Sequence, residues 1–316
     1  MARRRSGVLA RGIAAVVAGS VVVWFATSSG VAPEPSEATV SPPRKLESPQ
    51  GAPDVVIATP PTTTSAGAEL AGAPVSAVVQ AAERAAAPGM NLGVAVLDVS
   101  SGELVEGSNA RRQVYSASLA KLIVVVDMVD RRRSNGLTIT ASDVDLVGRA
   151  LRGSDDGAMN VLWGRFDGQG AIGRVATRLG LTGTEAPDDS TQWGETLVTA
   201  TDFTKIYQHI LKDLTPEDRQ LITGPLASAQ HIAVDGFDQF FGLLLHGASA
   251  QVYAKQGWVN YRPSTVYLHS AGVVHSDRTG KDYAVALLSQ QSASNQIARS
   301  RLSAAATAAF VALGVG

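Results

Sequence analysis

The positions of the strand-forming segments constrain the fold of this chain more than any other feature. Runs rich in Val, Leu and Tyr lie near both ends, and turn residues at 100–102 and 276–280 join neighbouring runs as hairpins. The predicted strands are 91–99, 103–105, 251–259, 264–274 and 283–289. The predicted helices are 75–87, 142–151, 158–166, 171–179, 201–211 and 295–313, and the apolar run after Ser118 would form a further, central helix. This order predicts an α+β fold: an antiparallel five-stranded sheet flanked by helices, with an all-helical insertion over about 137–225.

Composition excludes several classes of function. A net charge of −1 over 316 residues gives no electrostatic reason to expect nucleic-acid binding. The chain has no cysteine, which excludes disulfides, thiolate metal sites, a cysteine nucleophile and the acylated cysteine of a bacterial lipoprotein. Its five histidines show no H-E-x-x-H or comparable spacing. We therefore expect neither a metal nor another cofactor, and we expect a monomer.

The first 73 residues are typical of an export signal followed by a linker to the folded domain. Four arginines precede an uncharged stretch over 12–32, which is typical of a signal peptide and is also long enough for an uncleaved signal anchor. Residues 33–73 are rich in Pro, Ser and Thr and predict a disordered linker. The folded domain is then expected over 74–316, on the outer side of the membrane and tethered to it or secreted.

A serine and a lysine stand three residues apart at the start of an apolar run. If Ser118 opens a helix, Lys121 lies on the same face and its amine reaches the serine hydroxyl. The helix N-terminus favours negative charge on that oxygen, so the pair forms a possible nucleophile and base. The alternative is that S-x-x-K occurs by chance, as a core serine and a lysine whose amine reaches the surface.

Two further short motifs follow in order along the chain. Ser154-Asp155-Asp156 lies between two predicted helices, and Lys255-Gln256-Gly257 lies on the first late strand. Together with the first motif they resemble the S-x-x-K, S-D-N and K-T-G set of class A β-lactamases and penicillin-binding proteins. The resemblance covers about residues 74–316. Segment 199–202 also looks like the helix start that closes the Ω-loop of that superfamily.

The resemblance implies a role for each matching residue. Ser118 would attack a carbonyl, Lys121 would accept its proton, and Ser154 would relay a proton to the leaving nitrogen with electrostatic help from Lys255. The backbone N–H groups of Ser118 and Trp258 would form the oxyanion hole. The residues implied in substrate binding are Asp156, Gln256 and Gly257.

Departures from the superfamily pattern leave two functions open. Asp156 replaces an asparagine and can only accept hydrogen bonds, while Gln256 replaces a hydroxyl residue but offers an amide donor. No E-x-x-L-N occurs between 183 and 199, where the acidic candidates are Glu185, Asp188, Asp189 and Glu195. We predict an exported serine hydrolase that acts through Ser118 on an amide or ester, either a β-lactam or a peptidoglycan-related molecule. The alternative is a catalytically impaired binding module of the cell envelope.

Overall fold

The computed structural model describes residues 75–249, 251–260 and 265–315. The predicted signal segment over 1–32 and the predicted linker over 33–73 lie outside these residues. Within the described ranges, none of the helices combines the length and the apolar character that a membrane crossing requires.

A five-stranded antiparallel sheet forms the centre of the fold and confirms the sequence prediction. Its strands are β1 Met90–Asp98, β2 Leu104–Glu106, β5 Val252–Asn260, β6 Val266–Ser276 and β7 Lys281–Gln291. They lie in the order β2-β1-β7-β6-β5, so the N-terminal hairpin pairs with the last strand of the chain. Two short strands, β3 Val114–Tyr115 and β4 Leu197–Val198, form a separate ribbon beside the sheet.

Eight α-helices surround the sheet in the described residues. They are α1 Val75–Arg84, α2 Ala120–Asn135, α3 Ala141–Arg152, α4 Asp156–Arg165, α5 Gly168–Leu179, α6 Ala200–Lys212, α7 Pro216–Ala227 and α8 Asn295–Leu313. Helix α7 was not among the predicted helices. Its start signal is nevertheless present, because Thr215 caps the Asp218 amide and Pro216 occupies the first turn.

The sheet is buried on both faces. Successive side chains of a strand point to opposite sides, so Ala95 and Leu97 of β1 pack with the helices of the insertion. Val94 and Val96 pack with α1 and α8 on the other side. The sheet edge at β5 is left beside the start of α2, where the sequence places Ser118.

Helix α2 runs through the core of the helical side. All eleven residues from 120 to 130 are buried, including two aspartates. Asp127 accepts two hydrogen bonds from Arg174, while Asp130 bonds to Arg178 and to the ring of His209. These ion pairs compensate the cost of burying the two carboxylates and fix α2 against α5 and α6.

Candidate active site

Ser118 lies on a tight 3₁₀ turn, Ala117–Leu119, that leads directly into α2. The preceding Ala117 has φ of 47°, a left-handed conformation that is uncommon for a residue with a side chain. The segment before the turn is held by two contacts: Ser116 N donates to Thr196 O at 2.8 Å, and the ring of His269 bonds to Tyr115 O at 2.8 Å. Such strain is maintained only where the surroundings fix it, and it is concentrated at functional sites.

The amine of Lys121 reaches Ser118, as the three-residue spacing predicts. Lys121 Nζ donates to Ser118 Oγ at 2.6 Å, to Asp156 Oδ1 at 2.6 Å and to Ser154 Oγ at 3.4 Å. The lysine side chain is fully buried, whereas the Asp156 side chain is 62% exposed. Burial lowers the pKa of the Lys121 amine below its ordinary value, and the charge of Asp156 partly opposes that effect.

Ser154 lies between Lys121 and Lys255. It occupies the loop between α3 and α4 with φ of 53°, a second strained non-glycine position at the site. Its hydroxyl oxygen is 2.9 Å from Lys255 Nζ and 3.4 Å from Lys121 Nζ. Asp155 anchors the loop by capping the Ala158 amide and by pairing with Arg149. The three motifs therefore converge on one cluster of hydroxyls and amines.

Lys255 on β5 is almost completely buried behind Ser154. Its Nζ donates to Ser154 Oγ and to Gln256 O, both at 2.9 Å. Burial, together with the nearby Lys121 amine, holds the pKa of Lys255 well below its usual range. A lysine in this state exchanges a proton with a neighbouring hydroxyl more readily than a solvated lysine does.

Tyr207 of α6 places the backbone of β5. Its buried hydroxyl donates to Ala271 O at 2.7 Å and accepts from Lys255 N at 3.1 Å. Lys255 of β5 and Ala271 of β6 are paired, so the hydroxyl bridges the two strands. The Lys255 N–H therefore faces β6. Because N–H groups alternate along an antiparallel strand, the N–H groups of Gln256 and Trp258 face the open edge toward Ser118.

Gly257 allows the edge of β5 to approach the serine turn. A Cβ at this position would lie 2.8 Å from Ser116 O and 3.2 Å from Leu119 Cγ. Only a glycine avoids these contacts. The buried His269 lies opposite Gly257 on β6, where its ring accepts from Ser289 N and therefore donates to Tyr115 O. Burial lowers the pKa of His269 to about 4, which keeps the ring neutral.

The side chain of Gln256 does not face the cluster. Its amide nitrogen donates to Gln239 O at 3.0 Å and to Phe241 O at 2.5 Å, and the residue is 1% exposed. Both amide hydrogens are thus bonded to a neighbouring loop. This arrangement differs from the expectation that the amide donates to a substrate, because a strand side chain next to Lys255 points to the opposite face of the sheet.

The acidic residues of segment 183–199 are held in different ways. Glu185 accepts from Gln113 at 2.7 Å, and Asp189 accepts from the amide and hydroxyl of Thr191. Glu195 lies on a 3₁₀ turn, Trp193–Glu195, that packs against the Ser118 turn, since a Cβ on Gly194 would meet Ala117 Cα at 3.8 Å. Glu195 therefore belongs to a turn that contacts the serine turn.

The indole of Trp193 covers the Lys121 amine. The Lys121 amine lies 4.5 Å from the centre of the ring, and the indole N–H donates to Asn160 Oδ1 at 2.8 Å. An aromatic face over an ammonium group is attractive and excludes water from it. Within the described part of the chain, no three His, Asp or Glu side chains are grouped as a metal site requires.

Sequence reasoning missed three contributors to this arrangement: Tyr207, His269 and Asp235. The Asp235 carboxylate accepts from the Trp258 indole at 2.9 Å and favours the protonated form of both lysines. Tyr207 and Asp235 lie outside the three motifs, in segments that carry no sequence signature. His269 offered one signal, because it is a titratable residue inside a predicted strand.

The fold and the order of these elements are those of class A β-lactamases. The TLA-3 extended-spectrum β-lactamase superimposes with a TM-score of 0.64 at 12% identity, covering 76% of this chain and all of that chain. A class A β-lactamase from Mycobacterium abscessus gives a TM-score of 0.58 at 18% identity, covering 76% of this chain and 99% of that one.

The chain belongs to the β-lactamase enzyme family. A sequence model of that family matches residues 133–312, more than half of the chain, and the match begins after Ser118 and Lys121. The chain is also 32% identical over 236 residues to "Putative lipoprotein LppW" of Mycobacterium tuberculosis, and the alignment covers 74% of each protein. The protein of that name from Mycobacterium bovis aligns equally well.

Proposed function

We propose that this protein is an exported serine hydrolase of the β-lactamase and penicillin-binding type, which forms an acyl-enzyme at Ser118. The observation that carries the proposal is the contact of Lys121 Nζ with Ser118 Oγ at 2.6 Å, continued through Ser154 to Lys255 at 2.9 Å. A nucleophile beside a buried amine is the arrangement that activates serine in Ser-Lys enzymes.

The chemistry follows from these contacts. In its neutral form, the Lys121 amine accepts the Ser118 proton as Oγ attacks the carbonyl carbon of an amide or ester. The N–H groups of Ser118 and Trp258 lie on the two backbone segments that Gly257 brings together, which supports their assignment as the oxyanion hole. Ser154 then carries a proton to the leaving group, and Lys255 holds the Ser154 hydroxyl in place.

Placement at the cell envelope rests on two observations. The N-terminal arginines and the uncharged stretch over 12–32 are typical of an exported protein. The mycobacterial relatives are named lipoproteins, whereas this chain has no cysteine to acylate. An amino-terminal signal anchor replaces the lipid in this proposal, and a peptidoglycan-related molecule or a β-lactam is the substrate class.

Labelling with an acyl-enzyme probe tests the proposal. The full chain in detergent is incubated with a fluorophosphonate and with a fluorescent penicillin, and the Ser118→Ala variant is run in parallel. We expect label on the wild-type protein only. A Lys121→Met variant keeps about the same side-chain volume but removes the amine that acts as base, and we expect labelling to slow by about 10²-fold or more. Absence of Ser118-dependent label with both probes refutes the proposal.

The fate of the acyl-enzyme depends on the acid available to activate water. Glu195 is the candidate because its turn packs against the serine turn. We expect Glu195→Gln to leave the first turnover intact and to slow release of the label. Glu185→Gln is the matched control, because Glu185 is bound to Gln113. Equal release rates in both variants contradict the role of Glu195.

A second function is favoured by the ion pair between Lys121 and Asp156 at 2.6 Å. A carboxylate beside the base stabilises the ammonium form, which cannot accept the serine proton. In that case the site around Ser118 binds an envelope component without turnover. Saturable binding of cell-wall fragments that persists in Ser118→Ala, combined with no labelling of the wild type, supports the binding function. Absence of binding excludes it.

A further inference from the structure

The indole of Trp193 forms the boundary between the Lys121 amine and the solvent. The amine lies 4.5 Å from the centre of the ring, and the lysine side chain is fully buried. Trp193 itself is partly exposed and packs against the core of the helical side. Because the covered group is buried and its cover meets solvent, the ring separates the amine from water.

Protein groups surround the Lys121 amine on its other sides. A lysine ammonium has three N–H donors. The amine of Lys121 has three acceptors around it: Ser118 Oγ at 2.6 Å, Asp156 Oδ1 at 2.6 Å and Ser154 Oγ at 3.4 Å. With the indole over a further side, the folded site leaves the amine no direction open to solvent.

The ring of Trp193 is held at both of its ends. Its indole N–H donates to Asn160 Oδ1 of α4 at 2.8 Å. Its carbonyl oxygen accepts from Thr196 N at 3.2 Å and from Thr196 Oγ1 at 2.8 Å. Thr196 O in turn accepts from Ser116 N at 2.8 Å, two residues before Ser118. The cover is therefore fixed both to α4 and to the segment that carries the nucleophile.

Burial and nearby charges act on the Lys121 amine in opposite directions. Burial has the largest effect on the pKa of Lys121 and lowers it. Three carboxylates raise that pKa, and they belong to Asp156 of α4, Asp235 of the loop before β5 and Asp155 before α4. Lys255 of β5 lies on the other side of Ser154, where burial and then the Lys121 amine lower its own pKa. Since burial outweighs the carboxylates, the exclusion of water controls whether Lys121 can accept a proton.

We propose that Trp193 is a positioning residue whose ring keeps water from the Lys121 amine, which lets Lys121 act as the base at a lower pH than a hydrated lysine could. This inference rests on the proposed function. The aromatic face also attracts the ammonium form, but it replaces only part of the hydration that a buried ammonium gives up. Removing the ring therefore favours the ammonium form.

The pH dependence of fluorophosphonate labelling tests this role. The rate is measured for the full chain in detergent between about pH 5 and pH 10, with Ser118→Ala as background. Labelling forms a bond between Ser118 Oγ and phosphorus, fluoride leaves, and the serine proton passes to Lys121. Trp193→Ala removes the ring without changing any charge. We expect the midpoint of its profile to rise by about one pH unit or more, so that labelling below both midpoints slows by about tenfold per unit.

Three further variants separate the ring from its surroundings. Trp193→Phe keeps an aromatic ring over the amine and is expected to keep a midpoint close to that of the wild type. Trp193→Leu is smaller than the indole and is expected to give a rise below that of Trp193→Ala. Trp163→Ala is the matched control: its indole also holds segment 183–199, by donating to Ser190 O at 2.8 Å, but it lies about two helical turns beyond Asp156. We expect its midpoint to equal that of the wild type.

The outcomes distinguish this inference from the proposed function. The midpoint is read from the shape of the profile, so it does not depend on the folded fraction of a variant. Wild-type midpoints in Trp193→Ala and Trp193→Leu, even with slower labelling at every pH, overturn the inference and leave the serine hydrolase intact. An equal rise in Trp193→Phe or in Trp163→Ala also overturns it. No Ser118-dependent label on the wild type at any pH refutes the proposed function and this inference with it.

Discussion

Replacing Tyr207 by phenylalanine removes one oxygen atom that joins α6 to the strand carrying Lys255. The hydroxyl donates to Ala271 O at 2.7 Å and accepts from Lys255 N at 3.1 Å, and the side chain is fully buried. Tyr207→Phe therefore leaves a buried backbone acceptor and a buried backbone donor without this partner. Each such group costs about 1–3 kcal/mol, so we expect the free energy of unfolding to fall by about 2–6 kcal/mol.

The measurement is urea unfolding followed by circular dichroism, from which the difference in midpoint gives the change in stability. The matched control is Tyr283→Phe, whose hydroxyl makes a single bond of 3.2 Å to Thr279 in a hairpin turn. We expect that control to cost about 1 kcal/mol or less. We also expect slower fluorophosphonate labelling in Tyr207→Phe, because β5 carries both Lys255 and Trp258. Equal stability losses in the two variants would refute this reasoning, since the N–H and C=O would then have paired directly.

Three further predictions concern the site and its support. Gly257→Ala introduces a Cβ at 2.8 Å from Ser116 O, so we expect labelling of Ser118 to slow by about tenfold or more. An unchanged rate would contradict the close packing of β5 against the serine turn. Burial lowers the pKa of Lys121, while the Asp156 carboxylate raises it, so we expect labelling of the wild type to fall as the pH decreases below the ordinary lysine range. Asp156→Asn removes the opposing charge and should move the midpoint of this pH profile to lower pH. A profile that does not move argues against Lys121 as the base. The pKa of His209 is raised by Asp130 and Asp213 against the effect of burial. Its contribution to stability is therefore complete below about pH 6.5 and is lost as pH rises through the folded-state pKa. The stability difference between wild type and His209→Gln in urea should accordingly shrink as the pH rises above about 6.5, and a constant difference would contradict this sign.

The fold was predictable because the strand-forming runs are long and clearly separated by turn residues. The strands near Val94, Lys255 and Leu287 all appear within two residues of their predicted bounds. Helix α7 was not predicted, since its buried apolar residues, Ile222 and Leu226, are too few for a recognisable stripe. The cap at Thr215 was the stronger signal there.

The site was predictable only where spacing along the chain fixes geometry. Lys121 follows Ser118 by one helical turn, so their contact depends on local structure alone. The contact of Ser154 with Lys255 joins residues 101 positions apart and was inferred from a resemblance. Side-chain alternation along β5 already predicts that Gln256 points away from the face that carries Lys255, whereas the bond from its amide to Phe241 O depends on tertiary packing that the sequence does not encode.

The sheet order has a consequence for when the molecule can assemble. Leu92 of β1 pairs with Ser289 of β7, and these residues are 197 positions apart (289 − 92). The hairpin made first during synthesis therefore acquires its central neighbour only after nearly the whole polypeptide has been made. Because such distant pairings close large loops, the sheet is expected to form slowly and late. A chain that stops before residue 281 lacks the strand to which both halves of the sheet attach.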